Sequence, residues 1–340
     1  MKWLAAAVLG LAISGAAAWI AWPRVERFTT YWLSPEAPAD TPLTTPEEQQ
    51  ALRLFGRQVR GRLLWASNRG GNHDLYEADL QTGAVRALTS DPHVEFFGRY
   101  SPDGTEILYL RSRRPWVSFR EIDGWDLYVM RADGTGARLV AEQAYHPAWV
   151  PGRRAISFLR DNRLMIADLA GGGEVLWHDG AAEPTRGQIG DPEPGPEGLF
   201  ALSLRGVSRS RRGVGVLSRA EGRFDLVSDS PSACHVGWTP SGGLVWVTAE
   251  GHGGTRIMHA RRPGADAEVL IDLPGAYSHE YFPRVSSDGA WLIWGAAADG
   301  HEHDRADYEL FAWRIGAPWD QAHRLTYSAA NDQWPDLRLD

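Results

Sequence analysis

Apolar and polar residues alternate along most of the chain in short runs broken by turn residues, which is the period of strands rather than helices. The clearest stretch opens with Glu95-Phe96-Phe97-Gly98-Arg99-Tyr100 and turns at Ser101-Pro102-Asp103-Gly104. It continues through Glu106-Ile107-Leu108-Tyr109-Leu110 to a third run, Trp125-Asp126-Leu127-Tyr128-Val129-Met130. A Pro-Asp-Gly turn between alternating runs predicts a hairpin. A last strand, Ala137 to Ala141, follows the Asp133-Gly134 turn, so the unit is a four-stranded antiparallel meander.

The unit recurs. Weaker copies begin at His146-Pro147-Ala148-Trp149, at Asp191-Pro192-Glu193-Pro194-Gly195 and at His235-Val236-Gly237-Trp238-Thr239-Pro240. A strong one runs from Glu280-Tyr281-Phe282-Pro283 through Ser286-Ser287-Asp288-Gly289 to Tyr308-Glu309-Leu310-Phe311. Residues 62–89 hold three strands of a unit but lack the opening one, and the C-terminus supplies a match for it, Asp332-Gln333-Trp334-Pro335-Asp336-Leu337. A ring closed by one strand from the far terminus leaves no exposed first edge. Residues 60–340 are therefore expected to form an all-β, six-bladed propeller of four-stranded blades, closed by the C-terminal strand.

The Ser-Pro-Asp-Gly turns, the Ser67-Asn68-Arg69 and Asp74-Leu75-Tyr76 pieces and the Arg86-Ala87-Leu88-Thr89 ending resemble the repeats of the TolB-like propellers. The resemblance covers about residues 60–340 and is strongest in the first, second and sixth blades. TolB itself is the periplasmic component of the Tol-Pal envelope system. The separate α/β domain that precedes its propeller has no counterpart here, so the resemblance implies the fold and an envelope setting without transferring the role of TolB.

Met1 and Lys2 are followed by an apolar run from about Trp3 to Trp22, closed by Pro23-Arg24. About twenty such residues just reach across a hydrocarbon core of roughly 30 Å, which fits an uncleaved anchor. Ala16-Ala17-Ala18 equally fits a signal-peptidase site. Either way residues 1–28 direct the rest to a periplasmic or extracytoplasmic place, held at or secreted through a membrane, although Arg24 and Arg27 weaken the charge asymmetry that sets orientation. Residues 29–59 follow as a Pro-rich linker and a short helix, Pro46 to Arg57, opened by Thr45.

Composition agrees with this division: Gly 37, Trp 16 and Met 4 suit turns and pleated sheets. A formal net charge of -8 without a basic block excludes nucleic acid as an expected partner. The single Cys234 forms no internal disulfide and lacks zinc-site companions, so it is expected to pack as a small apolar residue. Trp65, Trp149, Trp238, Trp291 and Trp294 fall at core positions of the repeat.

Propellers bind through the mouth of the central channel, where each blade contributes a residue. The loops that lead into the innermost strands carry His93, Glu95, Tyr145, His146, Asp191, His235, His279, Glu280, Asn331 and Asp332, which are expected to surround that mouth. Two readings stand. The first is a polar funnel that binds a protein or peptide partner of the cell envelope without catalysis or cofactor. The second is a divalent metal site, manganese or calcium among the candidates, with His146, His235 and His279 as ligands in a saccharide-active enzyme. The oligogalacturonate lyases show that a TolB-like propeller can hold such chemistry. Asp299 to Asp307 forms a further acidic stretch without calcium-loop spacing, expected as a solvated hairpin. Arg69 and Arg113 are expected to pair with Asp74 and Asp126 of their own blades. No Gly-x-Ser-x-Gly elbow and no P-loop occurs.

Overall fold

A computed structural model describes residues 41–206, 212–298, 300 and 302–340; the apolar segment and most of the linker lie outside the described residues, as do Asp299 and His301 of the acidic stretch. The described residues form six four-stranded antiparallel sheets around one axis. Blade 1 contains β1 (Gly61–Ser67), β2 (Asp74–Asp79) and β3 (Ala84–Ala87), and blade 2 is β4 (Glu95–Tyr100), β5 (Glu106–Ser112), β6 (Trp125–Arg131) and β7 (Arg138–Ala141). Blade 3 is β8 (Tyr145–Trp149), β9 (Ala155–Arg160), β10 (Arg163–Asp168) and β11 (Gly173–Asp179). Blade 4 is β12 (Gly187–Pro194), β13 (Leu199–Gly206), β14 (Arg212–Ser218) and β15 (Arg223–Ser228). Blade 5 is β16 (Cys234–Trp238), β17 (Leu244–Thr248), β18 (Arg256–Ala260) and β19 (Glu268–Ile271). Blade 6 is β20 (His279–Val285), β21 (Trp291–Ala297), β22 (Tyr308–Arg314) and β23 (His323–Arg324), and β24 (Asp332–Leu339) returns to blade 1.

The turns that mark the repeat are built by side chains. In blade 2 the Ser101 hydroxyl donates to Asp103 (2.5 Å) and accepts from the Glu106 N–H, while the Asp103 carboxylate also accepts from the Thr105 N–H. Gly104 then takes φ 70°, a left-handed conformation that a side chain disfavours. Ser286, Asp288 and Gly289 repeat the arrangement in blade 6. These hydrogen bonds hold the Asp103 carboxyl down at about 2.

The expected closure is present: β24 pairs antiparallel with β1, with Leu63 opposite Leu337 and Ser67 opposite Asp332. Helix α1 (Pro46–Gly56) is capped by the Thr45 hydroxyl, which accepts from the Glu48 N–H at 3.1 Å. It buries Leu52 and Phe55 against Trp291, Leu310 and Leu325 of blade 6 and Leu80 of blade 1, so it belongs to the packed body rather than to the linker. Its last residue must be small, because a Cβ on Gly56 would lie 1.7 Å from the Leu80 carbonyl oxygen.

One guanidinium joins helix, first blade and last strand. Arg69 donates to both Asp332 carboxylate oxygens (3.0 and 2.8 Å), to Glu48 Oε1 (3.0 Å) and to the Leu43 carbonyl (2.6 Å), and it lies over the Trp65 and Tyr76 rings. This corrects the expected Arg69–Asp74 pair. Glu48 and Asp332 are fully buried and would be very costly as charges without a cation between them, whereas Asp74 accepts from the Thr89 hydroxyl. Arg113 does approach Asp126 of its own blade, at 3.6 Å. Trp65, Trp291 and Trp294 are core residues; Trp149 and Trp238 are half-buried and bridge neighbouring blades, donating to the Arg99 and Glu193 carbonyls.

Candidate functional site

Each innermost strand carries a β-bulge at the same place, and the first bulge residue has positive φ without being glycine: Phe97 (55°), His146 (51°), Asp191 (46°), His235 (50°), Phe282 (59°) and Trp334 (55°). Such backbone costs of the order of 1–3 kcal/mol per residue and persists only where the surroundings impose it. The bulge re-aims a side chain that the pleat would otherwise direct into the blade. Proline follows it in four blades, as Pro147, Pro192, Pro283 and Pro335, where the missing N–H has no ladder partner to lose. All six side chains line one cavity on the axis.

The ring has two chemically different arcs. Trp334 stacks on Phe97 (3.7 Å between centroids) and packs on Phe282 (3.9 Å), an apolar arc drawn from blades 1, 2 and 6. Opposite it, the Asp191 carboxylate lies 3.4 Å from His146 Nδ1 and 3.8 Å from His235 Nδ1, and accepts from the His235 N–H (3.2 Å) and the Ser203 hydroxyl (3.0 Å). Burial pushes His146 down to about 4 and also lowers His235, so both imidazoles are neutral at pH 7. Burial alone would raise Asp191, but the imidazoles and the two hydrogen bonds outweigh it and hold the carboxyl below its usual range.

The two ends of the channel differ. At the start of the inner strands, a loop from blade 2 and one from blade 6 meet over the aromatic arc: Asp304 accepts from the Ser118 hydroxyl (2.5 Å) and the Phe119 N–H (3.0 Å), and Arg120 pairs with Glu302 (2.7 Å). Phe119 packs on Phe97 and Trp334, and His303 on Phe282. The described part of the acidic stretch, from Glu302 on, is thus a cap rather than the expected solvated hairpin, since His303 and Asp304 are buried and Asp304 is satisfied by blade 2. At the turn end the cavity, about 40 Å³, continues past the bulges to Arg99, Glu193 and Arg284. Arg284 pairs there with Glu193 (2.8 Å) and Asp336 (3.8 Å).

Of the residues expected at the mouth, His146, Asp191 and His235 are brought together. The others lie elsewhere. His93 contacts Asp91 and Arg111 at the rim. Glu95, Glu280 and Asp332 occupy one equivalent position, two residues before the bulge, and are fully buried in the blades. Burial, then the Asp91 and Asp74 charges, push Glu95 up to about 10, and burial pushes Glu280 up to about 7. The Tyr145 hydroxyl donates to the Phe119 carbonyl and the Asn331 side chain to that of His303, so both hold the cap. His279 lies against Gly254 of the β17–β18 loop, apart from His146 and His235. Among the described residues no group of three or more His, Cys, Asp or Glu side chains is placed to hold a metal ion. Cys234, half-buried beside the bulge, has its thiol pushed well up by burial.

Phe97, Phe282, Trp334, Arg99, Glu193 and Arg284 escaped sequence reasoning as site residues. An X-Pro pair on the inner strand, with X on the axis and the residue two further on in the next ring, marks Phe282 with Arg284, Trp334, and Glu193 beyond Asp191; Phe97 and Arg99 carry no such mark.

No protein-family profile matches the chain. A search of curated proteins finds no match either. Solved structures do resemble it. TolB from Acinetobacter baumannii superposes with a TM-score of 0.59 at 14% identity over 82% of this chain and 66% of its own, so this chain spans just under two thirds of it. A putative TolB from Agrobacterium tumefaciens gives 0.58 at 14% identity, covering 83% of this chain and 99% of that one. Hydrazine synthase from Kuenenia stuttgartiensis gives 0.60 at 14% identity, over 83% and 48% respectively. Identity this low speaks for the fold alone, and the fold is that of a TolB-like six-bladed β-propeller.

Proposed function

We propose that this chain is a non-catalytic binding protein of the cell envelope, held at or exported through a membrane by its N-terminal apolar segment, and that its channel takes a protein or peptide partner. The observation that carries the reading is the ring of six bulges. Each blade spends an unfavourable backbone conformation to aim one side chain at the axis, and the result sets an aromatic arc beside a His146–Asp191–His235 arc. That pairing suits an extended peptide, which offers apolar side chains and hydrogen-bonding amides together. The cavity of about 40 Å³ between the two arcs is of a size for the end or one side chain of such a partner.

The test is site-specific photo-crosslinking in the native envelope, with the reactive residue at 153, exposed in the β8–β9 turn at the open end, or at 250, exposed at the capped end. A defined adduct from position 153 alone, lost when His146 and His235 are both replaced by alanine, is the expected result. Identical adducts from both positions, or none from 153, would overturn the reading.

A further inference from the structure

Two arginines occupy equivalent places on inner strands, each two residues beyond the bulge. Arg284 has the partners that a buried cation needs, Glu193 and Asp336. Arg99 has none: the residue is 8% exposed, its Nε and Nη1 are buried without a hydrogen-bond partner, and among the described residues no carboxylate lies within ion-pair distance of it. The nearby carboxylates are committed. Glu193 and Asp336 serve Arg284, and Asp336 also accepts from the Tyr100 N–H at 2.9 Å. Its backbone is fixed by Trp149 Nε1, which donates to the Arg99 carbonyl at 3.1 Å, and its side chain lines the axial cavity.

We propose that Arg99 is the seat of a ligand carboxylate at the open end of the channel, contributed by the partner as an acidic side chain or as a free C-terminus. A guanidinium presents a planar fork that a carboxylate fills with two parallel hydrogen bonds. An unpaired buried cation is costly, so a site that keeps one charged is poised for an anion. Burial, followed by the Arg284 charge, lowers Arg99 to about 10 against the weaker pull of the Asp336 and Glu193 carboxylates, neither of which is within ion-pair distance, and it stays protonated at neutral pH. The adjoining cavity of about 40 Å³ has room for a carboxylate group, with the rest of the ligand at the turn end. The inference rests on the channel being the binding site, and it names the chemistry that the channel selects.

The experiment is calorimetric titration of the detergent-solubilised full chain with sodium acetate and with acetamide, its neutral isostere, at constant ionic strength. Acetate is expected to bind saturably and acetamide at least tenfold more weakly, and Arg99→Gln is expected to lose the acetate site at least tenfold while melting no lower than the parent. Arg99→Lys, which keeps the charge without the fork, is expected to bind several-fold more weakly and covers the case in which the glutamine variant fails to fold. Equal binding of acetate and acetamide, or acetate binding unchanged in either variant, overturns the proposal. N-acetyl-Gly-Gly with a free or amidated C-terminus, beside N-acetyl-Asp-amide, then separates terminus from side chain. Because acetate needs no peptide, loss of the seat and loss of the partner reading are distinguishable: a cross-link at position 153 without acetate binding removes only the seat.

Discussion

Arg69 at the closure and Arg99 in the channel are both buried guanidinium groups in a β-propeller, yet their surroundings are opposite. Arg69 is gripped by Glu48, Asp332 and the Leu43 carbonyl, so the Coulombic pull of two carboxylates overrides burial and raises it above the ordinary arginine value. Arg99 has space on one side and no partner, and burial lowers it. The same residue type therefore locks one region and leaves another available. What separates structural charge from binding charge here is satisfaction, not depth.

The largest effect tests the closure as a whole. Deleting residues from Ala330 onward removes β24, hence a row of ladder hydrogen bonds, the Asp332 arm of the Arg69 latch, and the buried Trp334 and Leu337, whose burial contributes roughly 1.5–3 kcal/mol each. Against a net stability of about 5–15 kcal/mol this should abolish cooperative folding, read by circular dichroism and gel filtration. Removing residues 1–40 should leave the melting temperature almost unchanged, whereas a cut through Gly56, which strips Leu52 and Phe55 from the core, should lower it sharply. A C-terminal truncation that melted like the parent would dissolve the comparison.

Next in size is the latch itself. Asp332→Ala leaves Arg69 with one carboxylate and Trp65 Nε1 without its acceptor, and should cost about 3 kcal/mol or more in denaturant unfolding. A loss below about 1 kcal/mol would mean that the closure is held by packing alone.

The smallest of the three sharpens the contrast between carboxylates at one strand position. Asp332 has a cation, but Glu280 meets only the Leu273 N–H and the Thr255 hydroxyl, and burial raises it from 4.5 to about 7. Its folded value exceeds its unfolded one, so the native state binds the extra proton between those values and stability falls as pH rises from about 4.5 to 7. Glu280→Gln should match the parent near pH 4 and exceed it by about 1–3 kcal/mol at pH 8, measured by urea unfolding at both values. A constant difference across that range would place the titration elsewhere.

The blades and their closure were legible because the repeat is written in local chemistry. Ser101 and Asp103 build their turn with partners no more than five residues away, and β24 carries the same X-Pro mark as β8, β12 and β20. His146, Asp191 and His235 were legible as polar residues ahead of a turn. Phe97, Phe282 and Trp334 were hidden because aromatic residues on a strand look like core, and only the bulge turns them to the axis. The partner of Arg69 was out of reach for another reason: Asp332 stands 263 positions away, while Asp74 is close in sequence. Nothing local distinguishes Arg99 from a strand residue facing solvent.

Helix α1 also fixes where the chain enters the ring. Leu43 and Thr45 lie beside Arg69 and the start of β24, at the capped end of the channel. Residues 23–42, twenty in all, separate Leu43 from the apolar run that ends at Trp22, a reach of at most about 70 Å when fully extended. Were the N-terminal segment kept as an anchor rather than cleaved, the chain would leave it toward the capped face, opposite the open face that has Arg99 at its floor.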